Sequence, residues 1–450
     1  MPSKPALRVS VVSLGCPKAL VDTEKMLALL AQAGCLVAAP ADDADVVLIN
    51  TCAFIAPARE ESLAAIRRAV ALKRRGKVRR VVVAGCLPQR LGPALLADRP
   101  GVDALVGVFD RPAIVAAVTA RESPFVRVSR RPRGCEDDRG RFRLTPRHTA
   151  YLRLAEGCSA GCSFCTVPAI RGPLRSKPIH RVLEEAAELA ADGAVELNLI
   201  AQDTTAYGAD LPARPGLAEL LRRLDEIEPV RWIRLMYAHP AGMSEEIVAA
   251  MADCRRVVKY LDLPLQHVSD GMLRAMRRGY DRRRVEALLA MLRRRMPGIA
   301  LRTTFIVGFP GEGAAEFREL LAFVAGQAFD AVGVFTYWPE EGTAAGRMAG
   351  QVPARTRRRR RDRLMRAQQE IAFAANARRV GSQLEVLVDG LDGEGRCVGR
   401  HAGQGPDVDS LCILTAAAPA GEIVKAKVVG WDGYDLIVER IADCGLPIAN

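Results

Sequence analysis

The 450-residue sequence has no apolar run that approaches the length needed to cross a bilayer. A membrane helix needs roughly 18 or more such residues, and the apolar stretches here are shorter although 49% of the residues are hydrophobic. The chain begins with a short polar segment that leads into a strand, not with a charged and then apolar leader. We therefore expect no membrane association and a cytoplasmic protein of two to four domains.

A secretory context is also missing, so the twelve cysteines are not expected to form a disulfide framework. The cytoplasm keeps thiols reduced, and cysteines in such a chain favour metal binding instead. Cys35, Cys135, Cys397, Cys412 and Cys444 lack ligand spacing, and we interpret them as packing or incidental residues.

One short loop contains three cysteines but lacks the fourth ligand that a structural zinc site needs. Cys158, Cys162 and Cys165 are spaced Cys-x-x-x-Cys-x-x-Cys, with Phe164 before the third. Three thiolates suit a cubane 4Fe-4S cluster with one open iron; three buried structural cysteines are the alternative. The loop resembles that of the radical S-adenosylmethionine superfamily. The resemblance implies that the open iron binds the amino and carboxylate groups of S-adenosylmethionine.

The first segment of the chain alternates short apolar strands with helices. Strands are predicted at 9–14, 46–49 and 78–84 and helices at 23–33 and 57–75, which indicates a small parallel sheet. A cysteine follows each strand: Cys16, Cys52 and Cys86. The carboxyl ends of parallel strands face one crevice, so these thiols are expected to converge there. A single such cysteine indicates only a buried small residue, whereas three in succession predict a second 4Fe-4S cluster.

Residues 123–145 are rich in Arg, Pro and Gly and are predicted to be a linker. Six strands separated by helices follow, at 151–155, 195–200, 232–237, 260–265, 301–307 and 331–337. Six such units predict a partial (βα)6 TIM-like barrel, whose site lies at the carboxyl ends of its strands. The cysteine loop follows the first strand, at the mouth.

Several residues in or after these strands are candidates for contact with S-adenosylmethionine. Glycines near the fifth strand end permit a close approach of the backbone to an adenine. Taken singly, each polar residue could equally be a satisfied surface or capping group, and His267 a core histidine. The candidates are Tyr151, Phe164, Glu196, Gln202, Gln266 and Gly308.

The formal charge of +13 is unevenly distributed. Arg357 to Arg361 are five consecutive arginines on a predicted long helix, interpreted as a solvated face, with an anionic partner such as ribosomal RNA as the alternative. Residues 380–443 predict a five-stranded OB-like barrel with 5 Lys or Arg against 11 Asp or Glu. An acidic barrel repels phosphate, so a basic protein substrate fits it better than RNA.

Residues 7–443 resemble the radical S-adenosylmethionine methylthiotransferases. The family pattern implies an N-terminal cluster-binding domain (7–122), the linker (123–145), a radical core (146–375) and a C-terminal TRAM domain (376–443). The motifs at 15–22, 155–158, 201–208, 259–267 and 340–343 resemble the branch that modifies a ribosomal protein. Ala19 and the pair Gly313 and Ala314 depart from the common pattern without touching a ligand cysteine.

The resemblance implies transfer of a methylthio group to the β-carbon of an aspartate in small-subunit ribosomal protein twelve, either free or on the subunit. It also implies that the cluster of Cys158, Cys162 and Cys165 cleaves S-adenosylmethionine to a radical, while that of Cys16, Cys52 and Cys86 presents the sulfur. An external electron donor and a monomeric enzyme are expected. The alternatives are a tRNA adenosine methylthiotransferase and a non-catalytic iron-sulfur factor that binds or assembles ribosomes.

Overall fold

The structure is a computed structural model that describes residues 6–132 and 137–441. Cys135 and Cys444 lie outside the described residues. No helix in the described part of the chain is both long and apolar enough to cross a membrane.

The N-terminal segment forms a six-stranded sheet in which all neighbouring strands are parallel, in the order β2-β1-β3-β4-β5-β6. Its strands are β1 (Arg8–Ser13), β2 (Leu36–Val37), β3 (Val46–Thr51), β4 (Arg80–Gly85), β5 (Ala104–Gly107) and β6 (Phe125–Arg127). Its helices are α1 (Pro17–Gln32), α2 (Ala56–Arg74), α3 (Cys86–Leu91), α4 (Ala94–Asp98) and α5 (Ile114–Thr119). The central strands β3 and β4 are buried throughout because helices cover both faces, as their continuous apolar runs predicted.

Two details of this sheet differ from the expectations. It has six strands, not three, and β6 lies inside the segment predicted to be a linker. Helix α1 begins at Pro17, six residues before the predicted start. Proline suits the first helical turn because its missing N–H would have no partner there and its φ is already helical.

A second sheet of six parallel strands forms the centre of the chain, in the order β14-β13-β12-β11-β10-β7. Its strands are β7 (Thr149–Arg153), β10 (Glu196–Ile200), β11 (Trp232–Leu235), β12 (Val257–Asp262), β13 (Ala300–Val307) and β14 (Ala331–Thr336). A two-stranded ribbon of β8 (Ala155–Glu156) and β9 (Arg175–Ser176) and the short helix α6 (Val167–Arg171) flank the cysteine loop. This open sheet of βα units confirms the predicted partial barrel.

The helices of the barrel pack apolar faces against this sheet. They are α7 (Ile179–Ala191), α8 (Leu217–Leu224), α9 (Glu245–Asp253), α10 (Asp270–Ala275), α11 (Arg282–Arg295) and α12 (Ala314–Gln327). In α8, for example, Leu217, Leu220, Leu221 and Leu224 are buried, which is the spacing of one helical face. The apolar core lies between these helices and the sheet, and polar residues follow the carboxyl ends of the strands.

The C-terminal module is a closed five-stranded barrel, as predicted. Its strands are β15 (Gln383–Leu391), β16 (Cys397–His401), β17 (Cys412–Leu414), β18 (Ile423–Asp432) and β19 (Asp435–Arg440). Cys397 and Cys412 are buried in its core, which agrees with a packing role. The long helix α13 (Ala354–Arg379) connects it to the central barrel and contacts both β14 and β18.

The arginine run on α13 is divided between two roles. Arg357 donates to the backbone oxygen of Tyr337, and Arg360 pairs with the buried Glu312 at 2.7 Å. Arg358, Arg359 and Arg361 are exposed, as a solvated face requires.

The C-terminal barrel closes the amino end of the central barrel through buried charges. Arg400 of β16 pairs with Glu196, the first residue of β10, at 2.8 Å, and Arg234 of β11 pairs with the same carboxylate at 3.0 Å. All three side chains are at most 2% exposed. In the loop after β16, Asp409 accepts from Tyr260 at 2.8 Å. The acidic character of this module therefore serves, in part, to dock it.

Replacing Arg400 with Ala should destabilise the chain by about 3–5 kcal/mol, because Glu196 keeps its burial but loses one of its two cations. The shift is measured as the midpoint of thermal and urea denaturation followed by circular dichroism. Arg396→Ala removes an exposed arginine of the same module and is the matched control. Equal shifts in the two variants would contradict the docking role of Arg400.

Candidate functional site

Three cysteines lie at the carboxyl ends of the neighbouring strands β1, β3 and β4. Cys16 caps α1, Cys52 follows β3, and Cys86 is the first residue of α3, directly after β4. A Cβ atom added to Gly15 would lie 3.0 Å from the Cβ of Cys52, so the first loop passes directly beside the second cysteine. All three cysteines are partly exposed. The three cysteines thus lie at the same end of neighbouring strands, as expected, and their joint binding of a cluster stays a prediction.

The electrostatic surroundings of these thiols differ. Burial raises the pKa of Cys86 to about 11, against the opposing effect of the Arg171 guanidinium. Burial also acts on Cys16, but there Lys18 and Arg171 outweigh it and hold the pKa of the thiol below its ordinary value. Positive charge close to Cys16 therefore favours the thiolate, the form that binds metal.

The second trio lies in the loop between β8 and α6. The loop is fixed by backbone bonds from Cys158 N to Gly172 O at 3.1 Å and from Ser163 N to Met276 O at 3.1 Å. Donors point at the sulfurs: Ala160 N lies 3.4 Å from Cys158 Sγ, and Arg278 Nη1 lies 3.2 Å from Cys162 Sγ. Hydrogen bonds to sulfur are a principal means by which proteins set the potential of an iron-sulfur cluster.

Burial raises the pKa of Cys165 to about 12, with smaller opposing contributions that include the N–H of Val167. A thiol with so high a pKa is not a free nucleophile at neutral pH. Metal binding deprotonates such a thiol outright, so the raised pKa does not prevent Cys165 from acting as a ligand.

Both trios have a donor set that fits a cubane cluster. Within residues 6–132 and 137–441, no three Cys, His, Asp or Glu side chains converge closely enough to hold a single metal ion. A cubane does not need such convergence, because each of its thiolates binds a different iron. The cysteine spacing, the partial exposure and the N–H donors to sulfur together fit this group.

The two trios lie on elements that pack together. Helix α3, which begins with Cys86, contacts α6, which begins two residues after Cys165. Arg171 at the end of α6 places Nη2 3.6 Å from Cys86 Sγ and also pairs with Glu156 at 3.0 Å. A single side chain thus connects the first trio to the base of the second loop.

Arg171 belongs to a buried network of four carboxylates and four cations, called here the interface network. Asp22 of α1 pairs with Arg171 at 2.9 Å and Asp138 with Lys177 at 2.8 Å. Although burial raises the pKa of Glu156, Arg171 and Arg153 hold it well below its usual range. The members of the network are Asp22, Asp138, Glu156, Glu185, Arg111, Arg153, Arg171 and Lys177.

A second contact between the two domains comes from the loop after β14. Glu340 accepts from Ala56 N at 2.7 Å and pairs with Arg90 at 2.9 Å and with Arg59. Its side chain is 1% exposed. These bonds hold α2 and α3 against the open edge of the barrel, beside the cysteines.

Comparison with known proteins agrees with this architecture. Family models match residues 8–107 (uncharacterized protein family UPF0004), 152–324 (radical SAM superfamily) and 380–441 (TRAM domain). The chain is 46% identical to the ribosomal protein uS12 methylthiotransferase RimO of Anaeromyxobacter sp. (strain K), covering 97% of this chain and 94% of the relative. It is 44% identical to the RimO of Syntrophus aciditrophicus, over 96% and 98% of the two chains.

The chain belongs to the RimO family. Among solved structures, the radical S-adenosylmethionine methyltransferase TsrM from Kitasatospora setae, with cobalamin and a [4Fe-4S] cluster bound, aligns with a TM-score of 0.54 at 18% identity. That alignment covers 76% of this chain and 77% of TsrM and shows a shared fold. As a member of the RimO family, the chain is a radical S-adenosylmethionine methylthiotransferase, an activity that requires S-adenosylmethionine and a 4Fe-4S cluster.

Two of the predicted S-adenosylmethionine contacts have polar atoms that await a partner. The side-chain amide of Gln202, after β10, has a buried oxygen and nitrogen without a hydrogen bond, and the Oε1 of Gln266, after β12, is likewise unbonded. Buried polar atoms of this kind are costly unless a ligand satisfies them. In a RimO-family site at the barrel mouth, both are placed to bind a polar cofactor, and their contact with it stays a prediction.

The other candidates have different surroundings. The hydroxyl of Tyr151 donates to Asp407 at 2.9 Å, and Glu196 is held by Arg234 and Arg400. Both side chains therefore have partners at the junction with the C-terminal barrel, and their contact with the cofactor stays a prediction. Phe164 packs edge-on against Phe309 beside the cysteine loop.

Gly308 has a structural reason of its own. A Cβ there would lie 2.1 Å from Cγ of Arg357. The packing of α13 against this position therefore requires a glycine, independently of any contact with an adenine.

The sequence patterns did not single out four residues that organise this RimO-family site. Lys18 and Asp22 are on α1, Arg171 is on α6, and Arg278 follows α10. Each is buried and charged. Lys18 and Asp22 lie in the motif at 15–22 and Arg171 lies six residues after Cys165, positions that a charged residue on a solvated helix also shows, whereas Arg278 is far in sequence from Cys162, which it contacts.

Two glycines of the cysteine loop provide a test of its geometry. Both have positive φ, so alanine at either costs about 1–2 kcal/mol of backbone strain. A Cβ at Gly157 would in addition lie 2.0 Å from Pro173 O, whereas Gly161 has no atom within 4 Å. Gly157→Ala should therefore lose most of the iron bound by this loop, and Gly161→Ala should keep most of it.

The measurement is iron per chain after anaerobic reconstitution, in a background that lacks Cys16, Cys52 and Cys86, so that only the second loop contributes. Equal iron content in the two glycine variants would show that the close contact with Pro173 does not shape the site.

Proposed function

We propose that this chain transfers a methylthio group to the β-carbon of an aspartate of ribosomal protein uS12, using two 4Fe-4S clusters. The observation that carries the proposal is the arrangement of two cysteine trios on packed elements that share Arg171. The relatives named above, 44–46% identical, are uS12 methylthiotransferases. Such a carbon has no acidic hydrogen, so neither a base nor an acid of the protein can activate it.

When bound, the clusters and S-adenosylmethionine would supply a radical at one trio and a sulfur donor at the other. The chain would hold one cluster with Cys16, Cys52 and Cys86, the first trio, and the other with Cys158, Cys162 and Cys165, the second trio. Arg171 would direct positive charge at the first trio and Arg278 at the second. This charge favours the added electron on a cluster.

The protein's further task is to fix geometry and exclude water, since cofactors carry the difficult chemistry. The interface network and Glu340 support this task because they join the two domains with side chains at most 10% exposed around the facing trios. Substrate bound between the trios would be within reach of both reactive groups, which is the positional advantage that enzymes provide.

The charge distribution supports a protein substrate. Glu385, Asp432 and Glu439 of the C-terminal barrel are exposed, and an acidic surface attracts a basic ribosomal protein. We further propose that the enzyme acts in the cytoplasm as a monomer, on uS12 either free or in the small subunit, and takes electrons from an external donor.

Single-cysteine variants separate the two proposed sites. Cys162→Ala should abolish formation of 5′-deoxyadenosine, because the trio that binds S-adenosylmethionine is broken. Cys52→Ala should keep that cleavage and lose methylthio transfer to uS12. Both products are measured by mass spectrometry on folded, anaerobically reconstituted enzyme. Loss of both activities in each variant would contradict the division of labour.

Charge reversal tests the acidic surface. The triple change of Glu385, Asp432 and Glu439 to Lys should weaken binding of uS12 by roughly tenfold at low salt and less at high salt, because exposed charges are screened. Glu219→Lys, an exposed acid on α8, is the control. Affinity that is unchanged in the triple variant would remove the electrostatic reason for preferring a protein substrate over tRNA.

A further inference from the structure

Lys18 is a buried cation between the two domains. It lies in the first turn of α1, two residues after Cys16, and is 6% exposed. Its Nζ lies 3.4 Å from the centroid of the Tyr237 ring and 3.3 Å from the backbone oxygen of Ala201, to which it donates. Ala201 follows β10 and Tyr237 follows β11 closely, so the ammonium is held at the mouth of the barrel.

No carboxylate among residues 6–132 and 137–441 forms an ion pair with this ammonium. The members of the nearby interface network, in contrast, are paired cation to anion. An ammonium has three donors, the carbonyl of Ala201 takes one, and the face of Tyr237 attracts the charge without replacing a counter-ion. A buried charge is costly unless it is paired, and the main negative charge that acts on this ammonium is that of the Cys16 thiolate, which a bound cluster would take up as a ligand. Lys18 therefore has the properties of a cation that can accept a further anionic group.

The position of the ammonium limits what that group is. It lies between the Cys16 trio and the strand ends of the barrel, in the region that a substrate carbon must enter to meet a radical from one trio and a sulfur from the other. A substrate aspartate brings a carboxylate there, and its β-carbon is bonded directly to that carboxylate. A fixed carboxylate therefore fixes the carbon that reacts. The adenine base of a tRNA carries no negative charge.

We propose that Lys18 is a specificity-determining residue that binds the carboxylate of the substrate aspartate. The inference rests on the proposed function and adds to it the group that distinguishes an acidic side chain from its neutral isostere. The competing explanation is that Lys18 only balances the negative charge of a cluster bound by Cys16, in which case the identity of the substrate side chain would not matter to it.

The test compares two uS12 peptides, one with the modified aspartate and one with asparagine at that position. Their dissociation constants are measured by fluorescence anisotropy on the full-length, anaerobically reconstituted enzyme without reductant. The wild type should bind the aspartate peptide roughly 10- to 100-fold more tightly than the asparagine peptide, the ratio expected for a hydrogen bond between charged groups. Lys18→Met should reduce this ratio to about one by weakening the aspartate peptide alone.

Three further variants complete the test. Lys18→Arg keeps the charge and should keep the preference, and Lys18→Gln replaces Lys18→Met if the latter does not fold. Lys77→Met removes an exposed lysine of the same domain and should change neither peptide. Lys77→Met should match the wild type in thermal midpoint, iron content and the electron paramagnetic resonance of the reduced clusters. The same three measurements on each Lys18 variant separate a loss of the aspartate preference from a loss of the cluster.

Two results would overturn the inference: a neutral Lys18 variant that keeps the wild-type ratio, or one that weakens both peptides equally and alters the cluster spectrum. A wild-type enzyme that neither binds nor modifies uS12 would instead refute the proposed function itself, and the inference with it.

Discussion

The packing of the elements that carry the two cysteine trios depends on the interface network of buried charges. Its four carboxylates and four cations are all buried. They come from the N-terminal domain, from the segment between residue 138 and the end of β8, from α6, and from the segment that runs from the end of β9 into α7. Each charge would be strongly unfavourable alone, and the network is tolerable only when all its members are present. The two domains therefore cannot separate or slide without exposing unpaired charge, and Arg171, which contacts Cys86 from the barrel side, is fixed by the same condition.

Buried ion pairs also hold the C-terminal barrel, at the opposite end of the central strands. Glu196 pairs with Arg234 and Arg400, Arg400 also pairs with Asp389, and Asp409 joins Tyr260 and Arg302. This barrel belongs to a class that often binds nucleic acid, yet some of its acidic side chains contact the central barrel. The exposed acids that remain are distributed over the outer strands, where a basic protein rather than a phosphate backbone would be attracted.

Most of the architecture could be predicted from the sequence because it follows from local patterns. Continuous apolar runs gave the buried parallel strands, and the spacing of Cys158, Cys162 and Cys165 indicated a three-thiolate loop. The edge strand β6 was missed because three residues carry too little periodicity. The partners of Tyr151 and Glu196 at the C-terminal barrel were missed because a strand residue that faces a barrel interior has no sequence signal for which end of the barrel it serves. These partners, Asp407 and Arg400, are more than 200 residues away.

Sequence reasoning cannot tell which charged residues near a ligand cysteine are buried and paired in the folded chain. Asp22, Arg171 and Lys18 have the same local appearance, a polar residue in or near the first or last turn of a helix, and their burial depends wholly on how the two domains meet. Once the domains are together, Asp22 and Arg171 satisfy each other, whereas Lys18 contacts a carbonyl oxygen and an aromatic face and acts on the nearby thiol of Cys16. A site that makes a radical must exclude water, and excluding water makes an unpaired ammonium costly. In the proposed function, Lys18 lies where an anionic substrate side chain would relieve that cost, so the binding of the correct side chain and the closing of the site to water would favour each other.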